Sequence, residues 1–277
     1  MTAVLPRHEA GAPTRTPDGA RGIRAHLDAT FALDGARLTH DVSASTALEL
    51  RGPFRRGNEP ARFFVRNVTT GIFGGDAYRV SAMAGAGTTV WLSASSATKV
   101  HEMPDTGATL STELEVLSGA TLLWGPHPTI LQGGSRLSSY ARWRVHTGGA
   151  LVAAEVLSLG RRASGEGIAF ESYASSQVIE DAGARPLVEE RYELRPGPAI
   201  EDSLAGFGTI VSVYALGAVA APDDATVALV EGCAGYAGVG ELPNGAGWVV
   251  RALVSSLNDG TVLAESLMRA ILNARPA

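Results

Sequence analysis

The side chains with the most chemical potential sit in a few short, glycine-punctuated segments. Asp76 closes Thr70-Gly71-Ile72-Phe73-Gly74-Gly75-Asp76. Paired glycines before an aspartate make a turn that needs positive φ, and they set a carboxylate at the mouth of the next strand. Lys99 ends Ser96-Ala97-Thr98-Lys99 and is the single lysine among 23 basic residues. A genome that favours arginine codons accounts for that bias, yet lysine, unlike arginine, can lose its proton in a desolvated site. Leu159-Gly160-Arg161-Arg162-Ala163-Ser164-Gly165-Glu166 sets Arg161 and Glu166 across a tight loop, where they either pair or line a polar passage. Trp124-Gly125-Pro126-His127-Pro128-Thr129-Ile130 holds His127 between prolines in a stiff extended segment, suited to an edge or a bulge. Each feature also has a plain structural use: an Asx turn at Asp76, a surface ion pair at Arg161 and Glu166, a core histidine at position 127.

Several chemistries are excluded. The Ser-x-x-Lys pattern at 96–99 belongs with a Lys-Thr-Gly that a one-lysine chain cannot contain. There is no phosphate-binding loop, dinucleotide fingerprint, His-Glu-x-x-His or Gly-x-Ser-x-Gly. His8, His26, His40, His101, His127 and His146 never fall three or four residues apart, so no compact metal site is written locally; His101 and His127 are weak candidates for a transient contact. One cysteine, Cys233, rules out an internal disulfide and a multi-cysteine metal cage. A formal charge of −5 gives no electrostatic reason to expect nucleic acid or an anionic membrane. No apolar run approaches the ~20 residues of a membrane span, and no apolar signal core opens the chain, so a cytoplasmic protein is expected.

The elements that must position these residues are mostly strands. The 277 residues are 45% hydrophobic and 18% charged, with 33 glycines, a composition that suits a large core and many tight turns. Residues 1–22 read as a flexible tail and 23–277 as one β-rich domain. Period-two patterning marks strands at 61–68, 78–82, 88–94, 114–117, 122–124, 141–145, 151–157, 209–216 and 248–253. Turns at 85–87, 118–120, 148–150 and 182–184 recur at roughly 30-residue intervals, each before an apolar strand, which suits either a coiled, β-helix-like sheet or a sandwich. Helices are expected mainly toward the C-terminus: an amphipathic one over 261–274, preceded by Asn258-Asp259-Gly260 as its cap, and a weaker candidate over 225–236.

Taken in order, GIFGGD, SSATKV, WGPHPTI and GRRASGE, separated by strands across roughly residues 45–195, resemble the urease accessory protein D family, also called UreD or UreH. Residues 205–219 and 247–274 resemble its closing strand and helix. Two departures stand out, Thr69-Thr70-Gly71 where the family usually has Pro-Gly-Gly, and His101-Glu102 where it has Tyr-Arg. The resemblance implies a non-enzymatic scaffold with a coiled, β-helix-like fold. It implies assembly with a helical F-type accessory protein, a G-type GTPase and urease apoprotein. It also implies no tightly bound cofactor and transient nickel that passes through the protein toward the urease active site. Asp76, Lys99 and Glu166 match polar residues of that passage, with Arg161 as support, the glycines 74, 75, 160 and 165 as motif turns, and Asp76 and Glu166 as weak nickel candidates. On this reading Asp76, Lys99 and Glu166 converge on one polar tunnel, and Lys99 neutralises a buried carboxylate. The alternatives are a homologue serving another nickel-dependent system, or an enzyme using the same three residues in acid–base chemistry.

Overall fold

The computed structural model describes residues 22–57, 59–161 and 164–274. The expected tail therefore lies outside the described residues, apart from Gly22. The fold is built on coils that each place one strand in either of two facing sheets. Strands β4 (Ala61–Asn67), β6 (Thr89–Ala94), β9 (Thr121–Leu131) and β11 (Ala150–Ser158) run parallel in one sheet. Strands β5 (Ala77–Ala84), β8 (Ala108–Val116), β10 (Arg136–Val145) and β12 (Ser172–Glu180) run parallel in the other. The short β7 (Thr98–Val100) pairs with β9. The coiled alternative is thus the one adopted.

Hairpin strands finish the coil. At one end β1 (Arg24–Asp34) continues the second sheet parallel to β5, β2 (Arg37–Ala44) pairs back on β1, and β3 (Leu48–Phe54) pairs back on β4. At the other end β13 (Pro186–Leu194) turns back on β12, while β14 (Thr209–Gly217), β15 (Gly235–Glu241) and β16 (Gly247–Val254) extend the first sheet antiparallel. The sheets have seven and nine strands, the ninth being β7, which lies off the main path of eight.

Both long edges of the coil are held by backbone pairing. On one side the tight turns at 85–87, 118–120 and 148–150 stack: Leu117 N–H donates to Ala84 O at 3.0 Å, and Gly119 N–H to Gly148 O at 3.1 Å. The fourth turn, 182–184, is not in this stack; it closes the β12–β13 hairpin, with Ala184 at φ 60°. On the other side the longer corners stack. Ile72 N–H donates to Lys99 O, Gln132 N–H to Val100 O, Met103 N–H to Gly134 O, and Gly134 N–H to Ala169 O.

Alternation along the strands sorts side chains between two cores. Leu122, Trp124, Leu151, Ala153, Leu157, Tyr214 and Leu216 point between the sheets. Leu123, Val152, Val156, Val211, Val213 and Val250 point outward, where helix α3 (Leu257–Asn273) covers them with Ala264, Leu267, Met268 and Ile271. This helix starts four residues before the expected 261, because Ser256 is the cap: its hydroxyl accepts from Asp259 N–H at 3.1 Å. Asn258-Asp259-Gly260 is therefore the first turn and not the cap. The candidate helix over 225–236 is shorter, α2 (Asp224–Glu231), capped by Asp223. A further helix, α1 (Pro198–Leu204), precedes β14.

Charges pin α3 on its outer face. Glu265 accepts from Arg62 Nη1 at 2.8 Å and Arg269 Nη2 at 2.7 Å, and both guanidiniums lie over the Trp91 ring. Because α3 supplies the buried residues that cover that face, with Leu229 and Val230 of α2 packed beside them, Leu267→Ala is expected to lower stability by about 2–5 kcal/mol in urea unfolding.

Candidate functional site

The longer corners explain the order of the four sequence motifs. GIFGGD, the segment around Lys99, the end of WGPHPTI and the loop bearing Glu166 form one stack, so motifs far apart in sequence become neighbours in space. Their side chains do not share one purpose. The Asp76 carboxylate is buried and accepts from Phe73 N–H at 2.9 Å and Ile23 N–H at 2.7 Å. It closes its own turn and ties down the chain entering β1. Of the two glycines before it, only Gly75 has positive φ, at 84°; Gly74 is needed because a Cβ there would lie 2.7 Å from Thr106 O.

Glu166 and Arg161 pair as one of the two readings held. Arg161 donates from its backbone N–H at 2.9 Å and from Nη2 at 3.1 Å, and Gly133 N–H adds a bond at 3.1 Å. These donors hold the Glu166 carboxyl below the usual range, the Arg161 side chain first among them. Gly160 and Gly165 both take positive φ around this loop. His101 stacks on Phe73 with ring centroids 4.4 Å apart, and its Nε2 lies 3.1 Å from Thr70 O, so the ring braces the GIFGGD turn.

Lys99 differs from expectation. Its side chain is exposed and has no ion pair among the described residues, so it neutralises no buried carboxylate. The convergence of Asp76, Lys99 and Glu166 on one tunnel is not found. Lys99 lines the main cavity, Glu166 lines a separate shallow groove beside α1, and Asp76 lines neither. The reason is local: each carboxylate is turned onto backbone N–H groups of its own corner.

That main cavity runs between the two sheets and has a volume of about 390 Å³. Lys99 and Ser96, both exposed, stand at one mouth. Its lining continues past Thr112, Thr129 and Ser139 to Tyr173, Tyr192 and Ser212, across strands of every coil. Two groups in its wall were unequal in sequence: His127 was noted, whereas Glu155 was missed. Glu155 lies within the apolar run of β11, Ala150–Ser158, and is the one charged residue in it, which is the signal that could have found it.

A bulge makes these two neighbours. Trp124 pairs with Ala153, but the next matched pair is His127 with Glu155, so β9 carries one extra residue. WGPHPTI thus forms a bulge in a central strand, not at an edge. Gly125 allows it: φ is 127°, and a Cβ would meet Ala154 O at 2.6 Å. Trp91 Nε1–H fastens it by donating to Gly125 O at 2.6 Å. The imidazole of His127 then stacks on Trp124 at 3.9 Å. Burial pushes the His127 ring down to about 3, so it is a neutral imidazole.

Glu155 is left over in a charge count. Arg251 is the nearby cation, but it donates to Glu190 at 2.7 and 2.6 Å and to Ser212 Oγ at 2.9 Å, while Tyr214 Oη–H donates to Glu190 at 3.0 Å. Glu155 has no hydrogen bond or ion pair among the described residues. It is partly accessible through the cavity it lines, yet protein surrounds it, and burial pushes its carboxyl up to about 7, against the pull of Arg251.

The model of the UreD urease accessory protein family matches residues 23–277. The chain belongs to the UreD family. A urease accessory protein UreD of Haloarcula marismortui is 34% identical over 266 residues, 91% of this chain and 84% of its own length. One from Anaeromyxobacter is 30% identical over 220 residues, covering 77% and 73% of the two chains, and one from Rhodopseudomonas palustris is 31% identical over 188, covering 65% of each. These UreD relatives are named as accessory proteins, not as enzymes. No helix among the described residues is long and apolar enough to cross a membrane.

Two outcomes test this geometry. Asp76→Ala strands two amides and is expected to cost about 1–3 kcal/mol, whereas Lys99→Ala should stay within about 0.5 kcal/mol, both read by chemical denaturation. This reverses the ranking that a buried Lys99 would give. Glu155 has a folded pKa above its unfolded value, so its contribution is most favourable below about 4.5 and is lost as pH rises through about 7. Glu155→Gln should therefore match the parent near pH 4 and exceed its stability above pH 7, by at most about 3 kcal/mol, in melts across that range.

Proposed function

We propose that this UreD-family chain is a non-catalytic scaffold of urease maturation that binds urease apoprotein together with an F-type helical accessory protein and a G-type GTPase, and conducts nickel through its interior. The observation that carries this reading is the cavity between the sheets, which reaches from the exposed Lys99 mouth to Ser212 and Tyr192 through the length of the coil. A packed solenoid would fill that space with aliphatic side chains. Here Thr112, Thr129, Ser139, Glu155 and Ser212 interrupt the apolar lining. Hydroxyls and a lone carboxylate bind a divalent cation weakly enough to release it, which suits transit and not storage. Nickel is cargo on this account, and no resident cofactor is involved.

The test is reconstitution of urease activation from purified apoprotein, both accessory partners, GTP and nickel. Activation should require this chain. Ala97→Trp adds an indole at the exposed mouth of the cavity; it should leave the assembly intact by size-exclusion chromatography and reduce activation to the level seen without the chain. Full activation by Ala97→Trp would remove the interior route, and failure of the parent chain to join the assembly would remove the scaffold role.

A further inference from the structure

We propose that His127 and Glu155 form a two-ligand resting point for a nickel ion inside the cavity, an inference that rests on the reading of the cavity as a nickel route. The two residues are register partners on adjacent parallel strands, and strands in a sheet lie about 4.8 Å apart. Both line the cavity. Without the bulge in β9 the side chain at position 127 would face α3; the extra residue turns it inward beside Glu155.

Neither group has its bonding capacity met by the protein. His127 Nε2 is buried with no hydrogen-bond partner. Glu155 has none either, and the nearby cation is already taken by Glu190. Buried donors and acceptors are nearly always paired, so an unpaired imidazole nitrogen beside a cavity-lining carboxylate without a protein partner makes a pair that one cation would satisfy. A divalent transition metal satisfies both: a neutral imidazole gives its lone pair, and the carboxyl gives up its proton to solvent and binds as carboxylate. The ring is held for this by Trp124, and the carboxylate by the middle of β11.

Two protein ligands leave most of the coordination shell to water. The other candidates are occupied: Asp76 and Glu166 accept from backbone amides, and His101 from its own corner contacts Thr70 O. No group of three or more His, Cys, Asp or Glu stands ready to hold a metal among the described residues, so nothing near this pair would trap the ion.

The experiment is nickel binding by the purified full chain, with nickel sulfate in equilibrium dialysis and nickel K-edge absorption. The parent should bind nickel with an imidazole in its first shell. His127→Asn should remove the imidazole signature, and His127→Asn and Glu155→Gln should each weaken binding at least about tenfold. Far-UV circular dichroism on both variants checks that the fold is retained. Absence of binding by the parent, or unchanged affinity and imidazole signal in both variants, would overturn the site. Urease activation by the same variants is read separately: binding lost with activation intact would uphold the site and sink the conduit reading, whereas binding unchanged with Ala97→Trp inactive would sink the site and keep the conduit.

Discussion

Everything in this protein hangs on the backbone pairing of one coil with the next. A parallel strand must find both its partners in neighbouring rungs, and the corners between strands must pair as well or leave amides unsatisfied. The chain meets this demand with two unlike edges. Three tight glycine turns stack on one side, and long corners stack on the other. The tight edge consists of short turns, so the corner motifs around Asp76, Lys99 and Glu166 are carried by the long edge. That is why Asp76, His101 and Glu166 each spend their polar atoms on backbone groups: they are the fastenings of the stack.

The same constraint shapes the interior. Stacked rungs keep the two sheets at a fixed separation, so any position where a small or polar residue replaces a large apolar one leaves open space along the coil axis. Thr112, Thr129 and Ser139 do this on successive strands, and the voids join. At the far end the antiparallel strands β14 and β16 bring Ser212, Tyr214 and Arg251 against Glu190 of β13, a satisfied polar cluster beside the unsatisfied Glu155. The contrast between those two carboxylates is one of partners: Glu190 accepts from Arg251 and Tyr214, and Glu155 from neither.

Much of the fold was legible because alternation is strong in half-buried strands; 61–68, 151–157 and 209–216 are nearly the observed elements. The repeat of turns pointed to a coil, although 182–184 turned out to be a hairpin, since a turn's residues do not say whether the next strand runs parallel or back. Helix α3 was visible in its apolar spacing, and its start was misplaced because Asn258 and Asp259 are cap-forming residue types as well, whereas Ser256 is the residue that caps. The site was less legible. Asp76, Lys99 and Glu166 stood out by residue type and by family likeness, but the direction of a side chain depends on which amides lie nearby, and Ile23 and Gly133 are distant in sequence from the groups they bind. Glu155 was hidden by its surroundings: an apolar run reads as core, and one charge within it is easily passed over.

The bulge at Gly125 and Pro126 also bears on how chain length can vary. Side-chain direction in a strand has a period of two, so adding or removing one residue between Trp124 and His127 would exchange the inner and outer faces for the rest of β9. Leu131 would leave the core between the sheets, and Thr129 would be driven under α3. No such penalty attaches to the loop between β11 and β12, which lies after one strand has ended and before the next begins. Length changes there need only leave the Glu166 fastening in place, whereas β9 tolerates none, so that the bulge acts as a fixed ruler for the coil.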